Sequence, residues 1–159
     1  MNPSDGAEFR RALGHYPTGV CVVTAGAGIA MVVGTFTSVS LDPPLVGFLP
    51  DRASTSWPRI RETGRFCANV LAAGQEELCR DFVRKAPDRF AVHGLPGPAP
   101  YGPRLSGTVL RVGCDIEAVQ PAGDHELVLG RVRVLEVDPA AGEPMVFLRG
   151  RYAAAAVPA

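Results

Sequence analysis

The dominant pattern along this chain is that of strands. Val20-Cys-Val-Val-Thr24 is rich in β-branched residues, which predicts a strand buried on both faces. Ala25-Gly-Ala-Gly28 makes a turn into a second strand over residues 29–37, and Leu45–Leu49 reads as a short third. Phe66–Leu71 is another. In the C-terminal third, Leu105–Val119, Glu126–Val137 and Met145–Tyr152 read as three long strands joined by Pro121-Ala-Gly-Asp124 and Asp138-Pro-Ala-Ala-Gly142. Their expected core positions are Val109, Val112, Cys114, Ile116, Val128, Val132, Val134 and Val137.

Helical spacing is confined to three places. Ala7–Gly14 sets Phe9, Ala12 and Leu13 against Arg10 and Arg11. The segment after Pro50 feeds a helix that Thr55 or Ser56 caps, with Pro58 in its first turn and Gly64 at its end. Gln75–Arg84 puts Leu78, Cys79, Phe82 and Val83 in one stripe, with an Asp81–Lys85 pair on the wet side and Pro87 as the stop. Residues 92–103 form a loop long enough to be a lid or an inert excursion. About seven strands with two or three helices rule out a parallel α/β architecture, which needs a helix between nearly all strands. The pattern predicts a mainly β, antiparallel barrel with inserted helices, whose closure removes exposed edges. Residues 1–8 read as a flexible N-terminal tail, 9–152 as one domain and 153–159 as a C-terminal tail.

Composition narrows the function. Sixteen Lys and Arg against sixteen Asp and Glu supply no general attraction for nucleic acid or an anionic membrane. Cys21, Cys67, Cys79 and Cys114 are widely spaced within apolar runs, and no Cys-x-x-Cys pair accompanies the scattered His15, His93 and His125. Buried free thiols in a reducing compartment follow, with no metal site. The N-terminal residues have neither a basic nor an apolar leader pattern, and no stretch has membrane-spanning length, so the expectation is cytoplasmic.

Candidate chemistry gathers in two stretches. Thr35, Thr37, Ser38 and Ser40 alternate with Phe36, Val39 and Leu41 ahead of Pro43-Pro44, which fits either a half-exposed strand or a ribbon that presents hydroxyls to a ligand. Ser54-Thr55-Ser56 stands before a helix start; capping needs one hydroxyl, so three also outline an anion site. Gly26-x-Gly28 has Met31 where a dinucleotide motif requires glycine, and Val32 and Val33 follow, so a hairpin turn is the better reading. No Gly-x-Ser-x-Gly elbow supports a hydrolase. By pattern alone, His125 is a turn histidine, and Trp57 is equally a pocket cover or a core residue.

The ordered set of motifs resembles the flavin reductase-like, FMN-binding split-barrel family. Its carriers are Phe9-Arg-x-Ala-Leu-Gly-x-Tyr-Pro-Thr-Gly-Val20, Thr35-Phe-Thr-Ser-Val-Ser-Leu-Asp-Pro-Pro44, Ser54-Thr-Ser-Trp57, Phe66-x-x-Asn-Val-Leu71, Gly123-Asp-His125 and Gly150-x-Tyr152. The resemblance implies a split β-barrel of Greek-key type, usually a homodimer. It also implies an NAD(P)H-dependent oxidoreductase that takes FMN or FAD with NADH or NADPH and hands reduced flavin to a partner monooxygenase. The alternatives are a flavin-binding electron-transfer module and a split-barrel flavoenzyme acting directly on an organic substrate.

By the same resemblance, Val33, Gly34, Thr35 and Phe36 lie against the isoalloxazine ring. Thr35, Thr37 and Ser38 donate to the ring edge and ribityl chain. Ser54 and Ser56 form part of the phosphate pocket, with Arg84 or Lys85 and Arg89 as further contributors, and Trp57 is placed to cover the cofactor pocket. His125 stands on the open side, where nicotinamide stacks, and Tyr152 is a second wall. One departure stands out: many members carry Thr and Asn where this chain has Val32 and Gly34.

Overall fold

The computed structural model describes residues 1–159. Strand β2 (Cys21–Ala25) is buried along its whole length, as its β-branched run predicts. It pairs antiparallel with β3 (Ile29–Val33) on one edge and β6 (Arg65–Val70) on the other. The β2–β3 register sets Ala25 opposite Ile29, so the Gly26 and Gly28 segment is a hairpin turn. The sheet continues from β6 through β7 (Leu110–Ala122), β8 (His125–Val137) and β5 (Leu45–Phe48) to β4 (Thr37–Ser40), every pairing antiparallel. A separate sheet joins β1 (Thr18–Gly19), β9 (Met145–Leu148) and β10 (Arg151–Ala154) in the order β1-β9-β10. This is the split barrel the chain was expected to form. No helix is long and apolar enough to cross a membrane.

Alternation along β2 feeds two cores. Cys21, Val23 and Ala25 face the barrel interior with Phe48, Phe66, Val112 and Val128. Helix α2 (Ser56–Thr63) buries Trp57 and Ile60 in the same cluster, and Phe48 meets Trp57 and Phe66 edge-on at centroid distances of 5.7 and 5.0 Å. Val22 points outward into a second cluster with Leu71 and Leu105. Helix α3 (Glu76–Val83) contributes Leu78, Cys79 and Phe82 to that cluster, and β9 contributes Met145. Phe90, from the short helix α4 (Arg89–His93), packs on its flank.

A buried polar network pins the long loop to this outer face. The Asn69 amide donates to the Val22 carbonyl (3.0 Å), and its oxygen accepts the Leu105 N–H (2.9 Å). Beside it the Thr24 hydroxyl donates to the Pro103 carbonyl at 2.5 Å. The Asn69 and Thr24 side chains are therefore matched, which offsets the desolvation cost of placing Asn and Thr in a core.

Several local expectations change. With α1 (Gly6–Leu13) there are four helices, because α4 occupies the start of the expected loop. The last strand is two, parted by a turn in which Arg149 and Gly150 both have positive φ (49° and 75°). The 29–37 strand breaks after Val33, and β7 starts only at Leu110. Val134 and Val137 are exposed and lie outside the barrel core, beyond the Val128–Arg131 stretch of β8 that β5 pairs. Val83 is also exposed. Asp81 bonds Arg84 and His93, both at 2.7 Å, rather than Lys85. Thr55 holds the α2 N-cap position, as expected, but makes no side-chain cap bond; that bond comes from Ser54, whose Oγ accepts the Trp57 N–H at 3.2 Å.

Gly130 on β8 is required by packing, since a Cβ there would lie 2.5 Å from Phe66 Cζ and 3.0 Å from Cys114 Cβ. Gly130→Ala is expected to destabilise the fold by about 1–3 kcal/mol through overpacking, read as a lower urea midpoint at unchanged slope.

Candidate functional site

In the large sheet β3 is an outermost strand, and α3 and the small sheet stand close to its free side. Two clefts open there and meet at Val32. The smaller, about 200 Å³, is walled by Thr18, Val33, Gly34, Phe147 and Tyr152. The larger, about 430 Å³, runs past Met31 and Phe82 to Ser54, Thr55, Ser56 and Lys85. One end is thus largely apolar and the other carries hydroxyls and an ammonium group.

The polar end is built by two local devices. After α3, Lys85 adopts a left-handed conformation (φ 55°), which turns the chain back toward the 53–56 loop. Its Nζ then donates to Thr55 Oγ1 at 3.4 Å. Ser54, while its oxygen caps α2, keeps its hydroxyl proton free to donate. An anion placed here meets Lys85, two hydroxyls and the N-terminal turn of α2, which favours negative charge.

At the other end β3 stops and the chain crosses to β4. Thr35 Oγ1 accepts the Leu49 N–H at 2.9 Å, which ties the crossover to the end of β5. A Cβ at Gly34 would sit 2.9 Å from Thr18 Oγ1, so the Thr18 side chain fills the space that any larger residue at 34 would need. Tyr152 is held from behind: its hydroxyl shares a 3.4 Å hydrogen bond with the buried Cys79 thiol. That bond, with partial burial, pushes the Tyr152 phenol up to about 12, so it remains protonated. Its ring lies 5.3 Å from that of Phe147.

Of the residues singled out from sequence, Val33, Gly34 and Tyr152 come together in the smaller cleft, and Ser54, Ser56 and Lys85 in the larger. Thr35, Thr37 and Ser38 are exposed just past Gly34, outside both clefts, and Phe36 packs on the barrel core. Trp57 is a core side chain, 2% exposed. Arg84 bonds Asp81 through Nε and Nη2. Arg89 stacks over Phe82 and Phe90 and donates to the Ala86 carbonyl. His125 opens β8 opposite Asp51, in the segment that leads to Ser54. Its Nδ1 donates to Asp124 Oδ1 at 2.7 Å, which leaves Nε2 outward on a ring 39% exposed. The same bond holds the Asp124 carboxyl below its usual range.

Thr18, Met31, Val32, Thr55, Phe82 and Phe147 also line the groove. Thr18 belongs to the Phe9–Val20 motif, yet only the pairing of β1 with β9 and of β2 with β3 puts it beside Gly34. The donor set fits an elongated ligand with a flat apolar body and an anionic tail: Gly34 admits close approach to backbone at one end, and Lys85 waits at the other.

Comparison with known proteins agrees with this geometry. A profile of the flavin reductase like domain matches residues 13–156. A flavin reductase of Pseudomonas putida is 49% identical over 150 residues, covering 91% of this chain and 86% of that protein. HsaB of Rhodococcus jostii (strain RHA1), the reductase subunit of a flavin-dependent monooxygenase, is 38% identical over 153 residues, covering 93% and 77%. Among solved structures, Streptomyces globisporus C-1027 NADH:FAD oxidoreductase SgcE6, in complex with NAD and FAD fragments, superposes with a TM-score of 0.90 at 35% identity, covering 98% of this chain and 96% of that one. The profile spans nearly the whole barrel and both ends of the β3 groove, and the chain belongs to the flavin reductase-like domain family.

Proposed function

We propose that this chain is an NADH-dependent flavin reductase that holds FMN or FAD along the free edge of β3 and passes reduced flavin to a separate monooxygenase. The observation that carries this reading is the groove itself, which joins a glycine-lined apolar cleft to a Ser54–Thr55–Lys85 anion site. When bound, flavin supplies the hydride-accepting ring and the nicotinamide supplies the hydride, so the difficult chemistry belongs to the cofactors. The protein contributes binding, orientation and electrostatics. Lys85, with the Ser54 and Thr55 hydroxyls, holds the phosphate. Amides of Gly34, Thr35 and Phe36 lie outside the β-ladders, where N–H groups can face a ring edge that gains negative charge. Tyr152, protonated and backed by Cys79, walls the apolar end. His125 offers Nε2 at the rim, where it contacts nicotinamide.

The catalytic unit we assign spans residues 9–152. It acts as a homodimer: Leu41, Leu135 and Val137 are 96%, 66% and 73% exposed, and Leu135 and Val137 stand two apart on one face of β8. Apolar residues exposed in this way favour association, which sedimentation equilibrium measures. The four free, buried thiols support a cytoplasmic location.

Steady-state oxidation of NADH and NADPH with FMN or FAD tests the function. NADH loss that requires added flavin is expected, and no oxidation in any of the four combinations would remove the reading. Two variants separate the ends of the site. Lys85→Met is expected to weaken flavin binding at least about tenfold by fluorescence quenching. His125→Ala should leave flavin affinity unchanged but lower kcat/KM for the nicotinamide; an unaltered kcat/KM dismisses its role.

The Thr18–Gly34 contact makes a coupled prediction. Gly34→Asn alone is expected to weaken flavin binding, because its Cβ collides with Thr18 Oγ1. The Thr18→Ala/Gly34→Asn double variant should bind flavin better than Gly34→Asn. Additive losses in this cycle would show that the two sites do not interact.

A further inference from the structure

A second cavity, of about 340 Å³, lies away from the β3 groove and shares no lining residue with it. It is a partly open cleft between residues 98–104 and the outer face of β6, β7 and β8. Its floor is one row across the sheet, since Cys67 pairs with Gly113 and Gly113 with Val134. Gly113 is glycine for a reason: a Cβ there would lie 2.8 Å from Tyr101 Cδ2, so the missing side chain is what admits the Tyr101 ring. Tyr101, Pro98 and Pro100 complete walls that are mostly apolar.

One end of this cavity is charged. Glu136 accepts from Arg104 Nη1 at 3.3 Å and from Arg111 Nε at 3.0 Å. Those bonds, Arg111 foremost, hold the Glu136 carboxyl below its usual range, so it is anionic at neutral pH. Two guanidinium groups against one carboxylate leave a surplus positive charge.

The loop wall is fixed in place. The Thr24 hydroxyl donates to the Pro103 carbonyl, Leu95 N–H to the Arg104 carbonyl at 2.7 Å and Leu105 N–H to Asn69 Oδ1. Ligand sites of this size are concave, mainly apolar and preformed, with a few convergent polar groups.

We propose that this cavity is a second ligand site, which takes a small planar monoanion of the aromatic-carboxylate class. The ring lies beside Tyr101, over the Cys67 and Val134 parts of the floor, and the carboxylate accepts from Arg104 at the arginine end. The site is independent of the reductase reading, because nothing in it touches the flavin groove.

Saturation-transfer NMR on the full chain with benzoate as probe tests the site, with benzamide as its neutral counterpart. Saturable benzoate binding in the millimolar range is expected, unchanged by excess FMN or NADH. Benzamide should bind at least about tenfold more weakly, since it lacks the charge-assisted bond. Arg104→Gln and Val134→Phe, which act at opposite ends of the cavity, should each weaken benzoate about tenfold while keeping the wild-type circular dichroism spectrum. Three results overturn the proposal: no saturable binding to the folded wild-type chain, displacement of benzoate by FMN or NADH, or full affinity in both folded variants.

Discussion

Burial of β2 on both faces is the constraint from which this architecture follows. A strand with apolar side chains on alternate sides cannot stand at a protein surface, so the barrel fills one side and other elements must cover the second. Here α3, α4 and β9 do so, packing Leu78, Cys79, Phe82, Phe90 and Met145 against Val20, Val22 and Leu71. Those same elements carry Lys85, just past α3, and Tyr152, on the strand paired with β9. Covering β2 therefore brings an ammonium group and a phenol to the free side of β3. The groove is a by-product of where the second core had to be.

Within that groove, some residues shape the lining and others keep polar groups free. Cys79 and Thr18 are shapers: the thiol fixes the Tyr152 hydroxyl from behind, and the threonine occupies the volume beside Gly34. Ser54 does both, capping α2 with its oxygen while its proton stays available. A catalytic strategy that leaves hydride chemistry to two bound cofactors needs little more, because its gain lies in holding two rings in register. Few ionisable groups are thus demanded, and only Lys85 brings a charge to the lining of these two clefts.

Gly130 and Gly113 show how one barrel wall serves two compartments. The first opens space inside for Phe66, the second opens space outside for Tyr101. They lie on neighbouring strands, β8 and β7. Omitting a side chain at each lets an aromatic ring lie against backbone on opposite faces of the sheet. Asn69 and Thr24 anchor the loop that forms the outer compartment, so that segment is an ordered wall rather than a lid.

Strand identity, the β2–β3 hairpin, the all-antiparallel sheet and the hydroxyl loop before α2 were legible in the sequence because each rests on local periodicity or turn chemistry. The family was legible too, through motifs whose order along the chain survives without coordinates. Which of three basic residues faces the groove was not, since Arg84, Lys85 and Arg89 are close in sequence and differ only in their partners. Arg84 is bound by Asp81 and Arg89 lies on two phenylalanine rings, whereas left-handed backbone at Lys85 turns it to Thr55. Equally, Val134 and Val137 have the alternation of core residues, yet they lie on β8 beyond the stretch that β5 pairs, outside the barrel core. Local pattern determined the elements and the family; tertiary contact alone decided which side chains are spent on the fold and which remain for a ligand. The physical reason is that a side chain's freedom to bind depends on which partners from distant sequence reach it first.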